Sequence, residues 1–324
     1  MNSIFQWARK ICPTIAVGLL LFQAACHFGD APQPGQWITR RSMLIKRSWI
    51  SLAVVHEKIY AIGGMTDADG KRLDLNEAFD PRANEWTQLA PMPTPRSSPG
   101  TAVIGDWIYV VGGYPEDEAT NRLEVYDTLN NRWFTDLPPM PTARFDLTAV
   151  AIDHIVYAIG GYNRGALDAF EAYDTQSKQW TKLTPMPTAR YALQALVIDG
   201  KIFVIGGRTA TYATDVIEVF DPKTGQWSSS PIRVPEPIAG FGATMVEGNL
   251  HVVKYDKHLA YDFKTGKWRT DLPPMPTSRH GLRLAYIDGL LYAIGGCLPD
   301  GNNLFDVARN EAYIVRQPMQ MKIK

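Results

Sequence analysis

The sequence predicts an all-β fold, a closed ring of six four-stranded blades, and three observations carry that prediction. A block recurs: "PMPTARYALQALVIDGKIFVIGG" (185–207) has relatives ending at Gly113, Gly161 and Gly296. Each copy holds two apolar, β-branched runs joined by a tight turn such as Asp199-Gly200, which is a hairpin signal. Tryptophans recur in step at 37, 86, 133, 180, 227 and 268, yet the last unit, ending in "NEAYIV" at Val315, has none after it, while Trp37 precedes the first complete unit. The strand around Trp37 therefore completes the last blade, which removes the open edges of a linear array.

Taken in chain order, the first element is a leader. Arg9 and Lys10 precede an apolar stretch from Ile11 to Ala25, shorter than the roughly 20 residues of a membrane span and suited to a secretory signal. Gln23-Ala24-Ala25-Cys26 resembles a bacterial lipoprotein box, with glutamine where leucine is usual. The expectation is an exported chain, periplasmic or on the cell surface, with residues 1–26 as leader and Cys26 as the lipidated residue. Ordinary cleavage nearby and an uncleaved anchor stand as alternatives. "HFGDAPQPG" (27–35) reads as a flexible tether, 36–318 as the ring and 319–324 as a tail.

Within each blade the first strand is rich in small apolar residues ("LTAVAID", "LQALVID"), which suits the innermost position, where all blades converge on the axis. The second strand ends in a glycine pair whose second member falls at 64, 113, 161, 207 and 296, and the double gap before 296 leaves room for one degenerate copy around "LHVVKYDKHLAYD". A variable loop follows, then a third strand such as "LEVYD", with Asp80, Asp127, Asp174, Asp221 and Asp262 placed to cap the next turn. The fourth strand carries the tryptophan, an architectural anchor.

The glycine pair closing strand two, the aromatic ahead of the last turn and the tryptophan in strand four resemble the kelch repeat family. The resemblance runs from about Trp37 to Val315 with a period of 41 to 49 residues. It implies a six-bladed kelch β-propeller of the kind found in exported bacterial proteins, and leaves the function open.

Strands one and two form an antiparallel hairpin, so the arginine leading into strand one and the residue after the glycine pair share one mouth of the ring. The arginines are Arg47, Arg96, Arg144, Arg190 and Arg279; the residues after the glycines include Tyr114, Tyr162 and Arg208, with Tyr255 at the equivalent spot of the degenerate blade. Phe145, Tyr191 and His280 are expected near the wall. Two readings of the arginines compete. Animal kelch adaptors that capture acidic peptides look like this, which implies a polar pocket for an anionic ligand. Alternatively, each arginine crosses strand two over the glycines to pair with Glu77, Glu124, Glu171, Glu218 or Glu311. Blade five favours this second reading, because it has Pro237 near the arginine position, Val253-Lys254 near the glycines and Leu259 for the glutamate.

Thirty-three basic and 33 acidic residues leave no net charge and give no reason to expect a nucleic-acid or membrane-surface partner. His56, His154, His251, His258 and His280 show no ligand spacing, "DADG" from Asp67 lacks the third acid of a calcium loop, and Cys297 stands alone in the ring. No catalytic residue, metal or cofactor is assigned. The expected function is a monomeric binding module for a protein, an acidic peptide or an acidic sugar. A sugar mutarotase resembling the bacterial sialic acid kelch mutarotases is the second reading, and a structural spacer the third.

Overall fold

The computed structural model describes residues 32–66, 70–300 and 303–318. The leader with Cys26, the start of the tether, Asp67 to Asp69 and the tail lie outside the described residues. Blade one comprises the strands Ser51–Val55, Lys58–Ile62, Asn76–Asp80 and Glu85–Gln88, from axis to rim. Blade two is Gly100–Ile104, Trp107–Val111, Leu123–Asp127 and Arg132–Phe134; blade three is Thr148–Ile152, Ile155–Ile159, Phe170–Asp174 and Gln179–Lys182. Blade four is Gln194–Ile198, Lys201–Ile205, Ile217–Asp221 and Gln226–Ser229, and blade five Gly242–Val246, Asn249–Lys254, Lys257–Asp262 and Lys267–Arg269. Blade six takes Arg283–Ile287, Leu290–Ile294 and Asn310–Ile314 from the C-terminal end and Trp37–Thr39 from the N-terminal end. No helix occurs among the described residues, and the all-β six-bladed propeller stands as read from the sequence.

Closure is chemical as well as topological. Trp37, Ile38 and Thr39 pair with Tyr313, Ala312 and Glu311, and the Trp37 indole donates to the Pro273 carbonyl at 3.0 Å. Four other tryptophans make the same clasp to the segment leading into their own blade: Trp86 to Arg41, Trp133 to Ala90, Trp180 to Pro138 and Trp227 to Thr184, each at 2.8 or 2.9 Å. Only Trp268, in blade five, leaves its buried N–H without a partner among the described residues. Apolar packing is divided among the six seams between blades; Ile59, Phe79 and Trp86 of blade one, for example, pack on Tyr292, Ile294 and Ile314 of blade six. The turn-capping aspartates do what their position predicts, Asp174 accepting from the main chain of Gln176 and Ser177 at 2.8 and 3.1 Å.

All five arginines leading the inner strands are fully buried, and each meets its own blade's glutamate. Arg47–Glu77, Arg96–Glu124, Arg144–Glu171 and Arg190–Glu218 lie 2.7, 2.6, 2.5 and 2.8 Å apart, and Arg279 pairs with Glu311. Each arginine also donates from Nη2 to a carbonyl of strand two, as Arg144 does to Ala158 at 3.1 Å. The glycines make this crossing feasible: a Cβ on Gly113 would stand 2.9 Å from Cδ of Arg96. As mouth-lining ligand groups these arginines are therefore corrected; their donors face the blade interior.

Blade five replaces the ion pair with apolar contact, though not at the register read from the sequence. Ile238, not Pro237, holds the arginine position, since its carbonyl accepts from Gly207 as that of Arg190 does from Gly161. Ile238 and Leu259 are 2% and 7% exposed in one apolar cluster. Gly242 pairs with Val253, so the glycine pair is replaced by Lys254-Tyr255, one residue later than expected. Lys254 pairs with Lys257, which leaves a two-residue turn, Tyr255-Asp256, where the other blades have a long loop. Tyr255 is thus moved from the position after the glycines to that of the second glycine, with φ of 56°.

Candidate binding site at the mouth of the ring

Two main-chain devices build the mouth. In each intact blade the residue after the leading arginine bridges to the residue after the glycine pair: Ser48 to Met65, Ser97 to Tyr114, Phe145 to Tyr162, Tyr191 to Arg208 and His280 to Cys297. One residue further on, a belt of six residues in the left-handed region circles the axis: Trp49, Ser98, Asp146, Ala192, Gly240 and Gly281, with φ from 51° to 66°. Each belt N–H from Ser98 onward donates to the preceding blade's belt carbonyl at 2.8 to 3.1 Å. The Trp49 indole lies over the two glycines of this belt; a Cβ on Gly240 or Gly281 would meet it at 3.8 or 3.7 Å.

On this frame the aromatic residues form a continuous arc. Ring centroids of Tyr114 and Phe145 are 4.8 Å apart, Phe145 and Tyr162 5.4 Å, and Tyr162 and Tyr191 4.9 Å, all tilted or edge-on spacings that favour aromatic pairs. Arg72 caps one end, 4.9 Å over the Tyr114 ring. Across the mouth Tyr255, His280 and Trp49 continue the wall at 5.8 and 6.1 Å. Tyr114, Phe145 and Tyr162 border a groove of about 510 Å³ that Asp117, Glu118, Asn163 and Arg164 complete.

Positive charge gathers where the arc ends. Arg208 is exposed, and its guanidinium makes no hydrogen bond or ion pair among the described residues. Lys254, 4.9 Å over the Tyr255 ring, is its neighbour: burial holds the Lys254 ammonium below its usual value, Glu236 opposes that shift, and Arg208 and Lys257 add to it. Two cations that raise each other's cost in this way are both relieved by a bound anion. Tyr212, in the loop after Arg208, is 63% exposed on a turn fixed by Thr209, whose hydroxyl accepts from the Tyr212 N–H at 3.2 Å.

The structure therefore brings Tyr114, Phe145, Tyr162, Tyr191 and Arg208 together on one side of the mouth and Tyr255 and His280 on the other. It withdraws the five leading arginines. Arg72, Lys254, Tyr212 and Trp49 were not singled out from the sequence; only Lys254 carried a signal, as a departure from the glycine pattern. Cys297 is buried with its Sγ 3.4 Å from Nε2 of His280. Among the described residues no three His, Cys, Asp or Glu side chains come together as a metal site.

Comparison with known proteins agrees with this architecture. The family model described as FKB95, Kelch-repeats domain matches residues 134–297, and the KLHDC2/KLHL20/DRC7 Kelch-repeats domain matches residues 36–186. Kelch-like protein 36 of Mus musculus is 40% identical over 103 residues, 30% of this chain and 17% of that protein. Alpha-scruin of Limulus polyphemus is 32% identical over 117 residues, 34% of this chain and 13% of that protein. Kelch-like protein terF of Aspergillus terreus is 30% identical over 140 residues, 38% of this chain and 30% of that protein. The matched stretch thus spans less than a third of each relative.

Proposed function

Since the chain belongs to the kelch-repeat family, we propose that its ring is a binding module that takes a carboxylate-bearing ligand, an acidic peptide or acidic sugar, at the mouth beside Arg208 and Lys254. The observation that carries the reading is the nearness of an exposed guanidinium, without a partner among the described residues, to a half-buried ammonium at the end of an aromatic arc. Guanidinium and carboxylate match in planar fork geometry, and the aromatic rings offer apolar faces at low entropic cost. Export through residues 1–26, lipid attachment at Cys26 and a monomeric state belong to the same proposal.

The test is a peptide and glycan array probed with the protein, followed by titration of the best acidic hit. Arg208→Ala should weaken that hit by about 1.5 to 3 kcal/mol, the range for a hydrogen bond to a charged group, and leave thermal stability unchanged, because the side chain supports nothing in the fold. Equal binding by Arg208→Ala, or a neutral ligand seated on the outer rim, would refute the mouth as the site.

A further inference from the structure

Below the belt, the inner strands enclose an axial chamber of about 170 Å³. All six blades line it, and the lining is polar: Ser51, Thr101, Thr148, Gln194, Thr244 and Arg283. A space this size falls short of the roughly 300 to 1,000 Å³ of pockets that hold drug-sized ligands, so its occupant is small.

Arg283 is the anomaly of the molecule. Arg47, Arg96, Arg144, Arg190 and Arg279 are buried and each has its glutamate in direct contact. Arg283 is half-buried, opening only onto the chamber that it lines, yet no described carboxylate oxygen lies within ion-pair distance; its one hydrogen bond among the described residues is from Nη1 to the neighbouring Leu282 carbonyl at 3.2 Å. A guanidinium does not shed its proton in a protein, and an enclosed charge without a counter-ion is costly.

The nearest opposite charge comes from blade three, which faces blade six across the axis. Asp146, on the belt, is felt by Arg283 without touching it. Burial raises its carboxyl above the usual range, with a Ser98 hydrogen bond and the Arg283 charge opposing. Its Oδ1 and the Thr101 hydroxyl are buried without a partner among the described residues. With no contact to the Asp146 carboxyl, the Arg283 guanidinium keeps donors open toward the chamber.

We propose that the axial chamber is a binding site for a small monocarboxylate, of the size of formate or acetate, held on the Arg283 fork as its counter-ion. The carboxylate takes the guanidinium donors that no described group uses, and Thr148 and Gln194 supply polar neighbours. The site is separate from the mouth: the belt and Trp49 lie between them, and Arg208 is not part of it.

Saturation-transfer NMR with acetate and formate on the full chain tests this, with chloride at matched ionic strength and inorganic phosphate as comparisons. The expected result is saturable acetate and formate binding, weakened at least tenfold in Arg283→Met. Asp146→Asn, which fixes a neutral group at that position, should retain acetate binding. Arg283→Lys covers a methionine variant that does not fold: it keeps the charge and loses the fork, so tenfold weaker binding supports the site and unchanged binding overturns it. No saturable effect beyond that of chloride, preferential binding of phosphate, or parent-like binding by Arg283→Met would each overturn the proposal.

Discussion

Replacing Ile45 by threonine should stabilise the ring, and the repeat itself supplies the reason. In blades two, three, four and six the glutamate of the buried ion pair uses both oxygens: one accepts from arginine, the other from a threonine two residues before it. Thr94, Thr142, Thr188 and Thr277 donate to Glu124, Glu171, Glu218 and Glu311 at 2.6, 2.6, 2.7 and 2.7 Å. Blade one has Ile45 at that position, and Oε1 of Glu77 is buried without a partner among the described residues. The backbone already fits, because the Ile45 carbonyl accepts from Arg47 at 3.1 Å as that of Thr142 does from Arg144 at 2.9 Å. Ile45 is 44% exposed, so little apolar burial is lost. A hydrogen bond to a charged group contributes about 1.5 to 3 kcal/mol, and the lost aliphatic contact subtracts about 0.5 to 1, leaving about 0.5 to 2.5 kcal/mol. Urea unfolding should show a higher midpoint at constant slope, and the gain should vanish in a Glu77→Gln background. The converse change, Thr142→Ile, should cost a similar amount. An unchanged midpoint in Ile45→Thr, with Thr142→Ile equally silent, would refute the role given to threonine.

Acid should weaken blade five. His251 and His258 lie 2.9 Å apart, and burial, with Arg269 adding to it at both rings and His251 also at His258, holds them at about 4 and about 3. The unfolded chain therefore binds protons first, so stability is complete above the ordinary histidine value and is lost as pH falls from about 6.5 toward 4 and 3, by about 2 kcal/mol per ring at pH 5. A His251→Leu/His258→Leu variant should lose that dependence; an unchanged gap between parent and variant from pH 7.5 to 5 would sink the assignment. Deleting Pro32 to Met43 removes the strand and indole that close blade six, and should abolish the parent's thermal transition; a monomer with the parent's melting temperature would contradict closure by Trp37. Ile238→Arg in blade five should cost on the order of 3 to 5 kcal/mol as an unpaired buried charge. Adding Leu259→Glu should recover only part, because Lys254-Tyr255 replaces the glycines that admit the crossing; full recovery would show that glycines are not required.

The period, the strand count and the closing role of Trp37 could be read from the chain because they depend on residues close in sequence or on copies that repeat them. The in-blade ion pair was legible for a different reason: arginine, glycines and glutamate disappear together in blade five. What stayed hidden depends on register and on ring order. Lys254 and Tyr255 were displaced by one residue because a two-residue turn replaced the loop, and spacing alone does not reveal where a strand stops pairing. The contact between Thr142 and Glu171 spans two strands, so nothing local to "PMPT" shows what its threonine meets. His251 and His258, seven apart, meet because they lie on adjacent strands of one hairpin. Asp146 and Arg283 face each other only once six blades have been laid round an axis.

The hydrogen bond from Gln317 to the Pro32 carbonyl, at 2.7 Å, joins the first and last described stretches of the ring. A ring whose first and last described stretches meet has an arbitrary starting point: a short linker from Gln317 to Pro32 and a cut in an exposed turn such as Asp199-Gly200 would yield a circular permutant of the described ring with the same neighbours everywhere. Each blade seam would then be open in turn to being made the last one formed, and the order in which six equivalent joints assemble becomes a property that can be rearranged without altering the ring.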